Sequence, residues 1–187
     1  MDIDRIKKLR DEFCKAENEI KQTESEFNEL PLPPINELRY SFNHFLRTLT
    51  SEGEDEDNFR SAEKHVKRSI YDAVDVRIVS SLELLKYFKD DFKNIVISDV
   101  IPNWVEILGK ARKIKNDLSS NDDGETRQER LEDHLRYAKE LKEICDTCED
   151  SREELKKLQK AEITKYRRFI IGILLAAIGV IVAAMAL

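Results

Sequence analysis

The sequence predicts an all-α protein: a helical bundle with a long C-terminal helix leading into a single transmembrane helix. Three observations carry that expectation. Glycine and proline are scarce, at 5 and 4 among 187 residues, while 37% of residues are charged; a sheet protein of this size needs turn residues far more often. Apolar residues recur at steps of three and four, the period of a helix face. The chain also closes on "FIIGILLAAIGVIVAAMAL", residues 169–187, with no charge, amide or proline.

The first segment, residues 2–30, carries a seam through Ile6, Leu9, Phe13, Ala16, Ile20, Thr23, Phe27 and Leu30. Alternating steps of three and four place these on one face of a helix packed lengthwise against another. "PLPPINEL" ends it, because Pro33 and Pro34 cannot continue a helix but suit the first turn of the next. That next helix, residues 35–50, has Ile35, Leu38, Phe42, Phe45, Leu46 and Leu49 as its expected core face. The acidic "SEGEDEDN" stretch then reads as a solvated loop.

From Phe59 to about Lys89 two apolar stripes run along one helix, the mark of a central helix flanked on both sides. Residues 92–118 predict a helical pair or a kinked helix, interrupted near Pro102. "SSNDDGE" is a loop with capping residues for the last soluble helix. That helix starts near Glu125; no glycine or proline interrupts residues 125–171, so it is free to continue into the anchor as one rod of roughly 90 Å, and a break at the membrane interface is the alternative that the sequence leaves open. The organisation is therefore a cytosolic bundle over 1–124, a long juxtamembrane helix over 125–168 that completes it, and an anchor over 169–187.

As a helix, the anchor is roughly 28 Å long, close to the hydrocarbon thickness of a bilayer. Before it lie Lys156, Lys157, Lys160, Lys165, Arg167 and Arg168 against the single acid Glu162 in "KKLQKAEITKYRR". Basic residues beside a span remain on the cytoplasmic side and attract anionic headgroups. The expected location is thus the inner membrane, single-pass, with the N-terminus and bulk in the cytoplasm and the lipid bilayer as a partner. The N-terminus is charged from its second residue, so no secretory signal is expected. Within the anchor Gly172, Ala176, Gly179, Ala183 and Ala186 form one stripe of small side chains, which lets helices approach closely and predicts a homo-oligomer.

The net charge of −6 argues against general nucleic-acid binding. No glycine-rich phosphate loop, metalloprotease helix motif or serine elbow is present, so no cofactor and no small-molecule substrate are expected. "CDTC" offers Cys145 and Cys148, but a structural zinc needs four ligands and no second pair exists; no metal site is expected, and both thiols fall on the helix seam. Trp104 is expected in the core.

"RYSFNH" separates Arg39 from His44 by four residues on a predicted helix. The arrangement resembles the Arg-x4–6-His motif of HEPN domains, all-helical bundles whose nuclease members cleave RNA. The resemblance implies a catalytic pair, His44 as acid or base and Arg39 stabilising phosphate charge, with residues of two protomers meeting across a dimer. "RSAEKH" repeats the spacing at Arg60 and His65, and Tyr40 replaces the polar residue that often follows the arginine in that family. The overall plan is similar to membrane-anchored HEPN-like accessory proteins of type VI CRISPR systems. That implies a self-associating, membrane-perturbing or pore-type effector in antiviral defence, with RNA or an RNA-guided complex as partner. A membrane-tethered ribonuclease and a non-enzymatic membrane adaptor are the alternatives.

Overall fold

The computed structural model describes residues 2–50, 55–119 and 127–185. They form five α-helices: α1 (Ile3–Phe27), α2 (Leu32–Thr50), α3 (Glu56–Asp91), α4 (Trp104–Ser119) and α5 (Arg127–Met185), with a 3-10 turn at Ile97–Asp99 before α4. No strand occurs among the described residues. The all-α expectation holds.

Local chemistry sets the helix ends. Asp2 caps α1 by accepting from the Asp4 amide at 2.9 Å, and Asn28 closes it in the left-handed region at φ 54°, which asparagine tolerates better than most residues. Pro33 and Pro34 sit in the first turn of α2, where their missing N–H groups cost nothing. Asp55 caps α3. Most of the acidic loop (Ser51–Glu54) and the Ser120–Thr126 loop lie outside the described residues.

Helix α3 is the axis of the molecule. Its N-terminal half meets α1 and α2 in one apolar cluster, built from Leu9, Ala16, Ile20, Leu38, Phe59, Ala62, Val66 and Ala73. Its C-terminal half meets α4 and α5 in a second, where Val74, Ile78, Phe88, Trp104, Ile107 and Leu141 are among the buried side chains. The two stripes expected on α3 are these two clusters. Pairings fix the directions: Arg5 to Glu56 and Thr23 to Ala73 set α1 parallel to α3, Ser41 to Ala62 and Ser69 to Pro34 set α2 antiparallel, and Tyr71 to His134 and Asp91 to Arg152 set α5 parallel.

Helix α5 is unbroken over 59 residues, about 88 Å. It stays on the bundle as far as Leu155, which is fully buried, and Gln159, which donates to the Asp91 carbonyl at 3.0 Å. Arg152 secures this exit, pairing with Asp91 at 3.0 Å while its guanidinium lies over the rings of Phe88 and Phe92. Past Gln159 every described side chain is exposed.

The expected transmembrane helix is corrected here. Among the described residues no helix is long and apolar enough to cross a membrane, and the single-pass inner-membrane placement falls with it. The physical reason is length. The uncharged part of α5, from Phe169 to its described end at Met185, is 17 residues, roughly 26 Å of helix against about 30 Å of hydrocarbon.

The face of α2 also differs from expectation. Its buried residues are Pro34, Leu38, Ser41 and Thr48, whereas Phe42, Leu46 and Leu49 are exposed. Two buried hydroxyl bonds set this roll. Ser41 donates to the Ala62 carbonyl at 2.9 Å, and Ser69 of α3 donates to the Pro34 carbonyl at 2.8 Å. A small hydroxyl side facing α3 lets the backbones approach closely, and the bulky apolar stripe is left turned outward.

Candidate functional site

The two Arg-x4-His segments converge, but through their histidines. Five residues of helix put Arg39 and His44 about 140° apart around α2, so one chain does not bring them together. Arg39 is exposed, its guanidinium over the Tyr40 ring at 5.3 Å. His44 lies half-buried between α2 and α3. Its ring stacks on His65 of α3, with centroids 5.2 Å apart and planes 13° apart.

Each ring is held from behind. Asn58 Nδ2 donates to Asp55 Oδ2, which turns Oδ1 of the amide toward His44 Nδ1 at 2.7 Å. Nδ1 of His44 is therefore the donor of that bond. His65 Nδ1 meets Glu37 Oε2 at 2.7 Å, and Arg68 stands 3.9 Å from the other Glu37 oxygen. The hydrogen bonds from the Asn58 side chain and backbone hold the Asp55 carboxyl below its ordinary range. Glu56 is likewise lowered, first by its hydrogen bond to Arg5.

His134 of α5, the third histidine, is buried. It packs on Tyr71 with centroids 4.7 Å apart and lies 3.4 Å from Asp75. A groove between α1, α3 and the start of α5 carries both signs of charge, with Lys15, Lys64 and Arg68 facing Glu12, Glu19 and Glu132, so it selects neither anions nor cations.

The thiols are packing groups. Cys145 donates to the Ser81 carbonyl at 3.5 Å and Cys148 is buried in the lower cluster. Burial pushes them up to about 11 and about 12 respectively, so neither is a thiolate at neutral pH. Among the described residues no group of three metal-ligating side chains forms.

Sequence reasoning missed a buried ion pair. Arg77 is 5% exposed and reaches Glu19 of α1 at 3.2 Å, while its Nε and Nη1 find no hydrogen-bond partner among the described residues. The only signal was an arginine inside an apolar stripe of α3.

The other feature is the free end of α5. Its small-residue face is open: a methyl placed on Gly172 or Gly179 would meet no atom within 4 Å. Ala176 shares that face and is exposed; Ala186 and the side chain of Ala183 lie outside the described residues. The basic collar is partly offset within the helix, where Lys156 pairs with Glu153 at 2.7 Å and Lys165 with Glu162 at 2.6 Å. Lys157, Lys160, Arg167 and Arg168 are exposed. No known protein family, curated protein or solved structure matches this chain.

Proposed function

We propose that this protein acts by self-association through the free end of α5, as a helical assembly protein rather than by turning over a substrate. One observation carries the reading: Phe169–Val182 projects from the bundle with every side chain exposed, among them Ile171, Leu174, Leu175, Ile178 and Val180. A contiguous apolar surface of this kind exceeds what monomers leave open to water and marks an interaction site. Copies packing their α5 ends together cover it, and the face of Gly172, Ala176 and Gly179 lets the backbones approach. Because the collars of neighbouring copies repel, added salt strengthens the assembly.

Catalysis by Arg39 and His44 is the weaker reading, since the two side chains diverge around α2 and His44 is committed to Asn58. The antiviral and RNA-guided roles rest on the resemblance alone, and no matched protein supports them.

Sedimentation equilibrium of the full chain tests the proposal. The wild type is expected as a discrete multimer, and Ile171→Glu with Leu175→Glu and Ile178→Glu is expected to reduce its mass without loss of helicity. Equal masses for the two chains overturn the proposal, as does a polydisperse wild-type aggregate. A wild-type monomer captured whole by phosphatidylcholine vesicles also overturns it, and makes lipid the cover of the α5 end.

A further inference from the structure

The outward stripe of α2 has a register of its own. Leu32, Ile35, Arg39, Phe42, Leu46 and Leu49 step by three and four without a break, the seam of a helix that packs lengthwise on another. Four of the six are large apolar side chains left open, with Leu32 60%, Phe42 54%, Leu46 42% and Leu49 51% exposed. The helix needs none of them to hold α3, because its buried side is Pro34, Leu38, Ser41 and Thr48. The seam lies toward the opposite end of α3 from the point where α5 leaves the bundle, so it is a separate surface.

The register also says what covers it. The seam is symmetric about the midpoint between Tyr40 and Ser41: laid antiparallel on a second α2, Leu32 falls opposite Leu49, Ile35 opposite Leu46, and Arg39 opposite Phe42. Every apolar residue but Phe42 meets another apolar residue. The lone charge of the seam meets the lone aromatic, where a guanidinium over a ring face is favourable. A mismatched register would set Arg39 against Leu or Ile and strip its hydration without return, so this one polar position fixes the alignment. A surface that is its own complement under a two-fold rotation fits a copy of itself.

We infer that α2 is the interface of a two-fold, antiparallel pairing of two copies of this chain, with Arg39 and Phe42 exchanged across the axis. The inference stands on the α2 surface and does not depend on the α5 reading. Nor is it the arginine–histidine meeting that the HEPN resemblance implies, because His44 remains in the α2–α3 groove, outside the seam. One helix-on-helix seam belongs to the small, weak class of interfaces, under about 1,200 Å² in total, so the pair forms at micromolar or higher concentration.

Cysteine cross-linking of the full chain tests it, in the Ile171→Glu, Leu175→Glu, Ile178→Glu background that removes the α5 surface and with Cys14→Ser to silence the exposed native thiol. Ile35→Cys combined with Leu46→Cys is expected to form a disulfide dimer on mild oxidation. The two positions are roughly 16 Å apart along one helix, too far to bridge within a chain. Each single cysteine is expected to stay monomeric. Leu46→Glu, at an exposed site that leaves the fold intact by circular dichroism, is expected to weaken the reversible dimer about tenfold or more. A dimer from Ile35→Cys alone means parallel pairing and overturns the inference. So does the absence of any cross-linked species from the double-cysteine chain, or a dimer unmoved by Leu46→Glu.

Discussion

The two halves of α3 are held by different physics. At its C-terminal half the contacts are large and apolar: Phe88 packs edge-on to Phe92 with centroids 5.0 Å apart and against Trp104 at 5.7 Å, with Leu141 and Leu155 of α5 fully buried. At its N-terminal half Leu9, Ile20, Leu38 and Phe59 share the contacts with the small Ala16, Ala62 and Ala73, and buried polar groups add to the alignment. Ser41 and Ser69 lock α2, Thr23 donates toward the Ala73 carbonyl at 3.3 Å, and Arg77 reaches Glu19. Shape fixes the lower, C-terminal half, and shape together with directional bonds fixes the upper, N-terminal half. Directional bonds specify one roll and one register even where that leaves apolar side chains outside, and α2 is the case in point.

The largest test of this contrast removes shape from the lower half. Phe88→Ala vacates the space between Phe92, Trp104 and the Arg152 guanidinium, and is expected to cost roughly 3–5 kcal/mol, read as a lowered denaturant midpoint. A loss under about 1 kcal/mol would mean that the lower half does not depend on packing.

A comparable or slightly smaller effect is expected at the buried ion pair. Arg77→Met leaves Glu19 facing an apolar wall and is expected to cost roughly 3 kcal/mol, whereas Arg77→Met with Glu19→Leu recovers most of it. If the double variant is no more stable than the single one, the pair does not act as a unit and the upper half is ordered by its packing and hydroxyls alone.

The smallest effect concerns pH at the α2–α3 corner. Asp55 and Glu56 are held below the ordinary carboxylate range in the folded chain. Their contribution is therefore complete above the unfolded value of about 4 and is lost as pH falls through the lowered folded values. Amide exchange at Asn58 and Phe59 is expected to quicken in acid ahead of that at the buried α3–α5 contact. Titration of Asp55 at its ordinary value by NMR would remove the cause.

Much of the fold was legible because helices announce themselves through period and punctuation. The α1 seam from Ile6 to Phe27 faces the core as its spacing required, with Leu30 alone turned out. The prolines before Ile35 mark a real helix start, α3 is central, and α5 is unbroken across the stretch to residue 171 that lacks glycine and proline; its continuation through Gly172 and Gly179 is what the sequence left open. The candidate site was less legible. Spacing and resemblance pointed to Arg39 and His44, whose meeting across two protomers a single chain does not show. What joined His44 to His65 was the packing of α2 on α3, a long-range fact that no local pattern holds. The apolar tail was legible as apolar but not in its extent as a span.

The sequence by itself determined the helical class, the helix boundaries and the existence of an apolar terminal segment, because period, capping residues and helix breakers act within a few residues of chain. Tertiary structure alone decided which side of each helix is buried. Burial is a choice between partners: at α2 the side bearing Leu38, Ser41 and Thr48 met α3, and Phe42, Leu46 and Leu49 stayed outward, leaving a surface that a second copy can use.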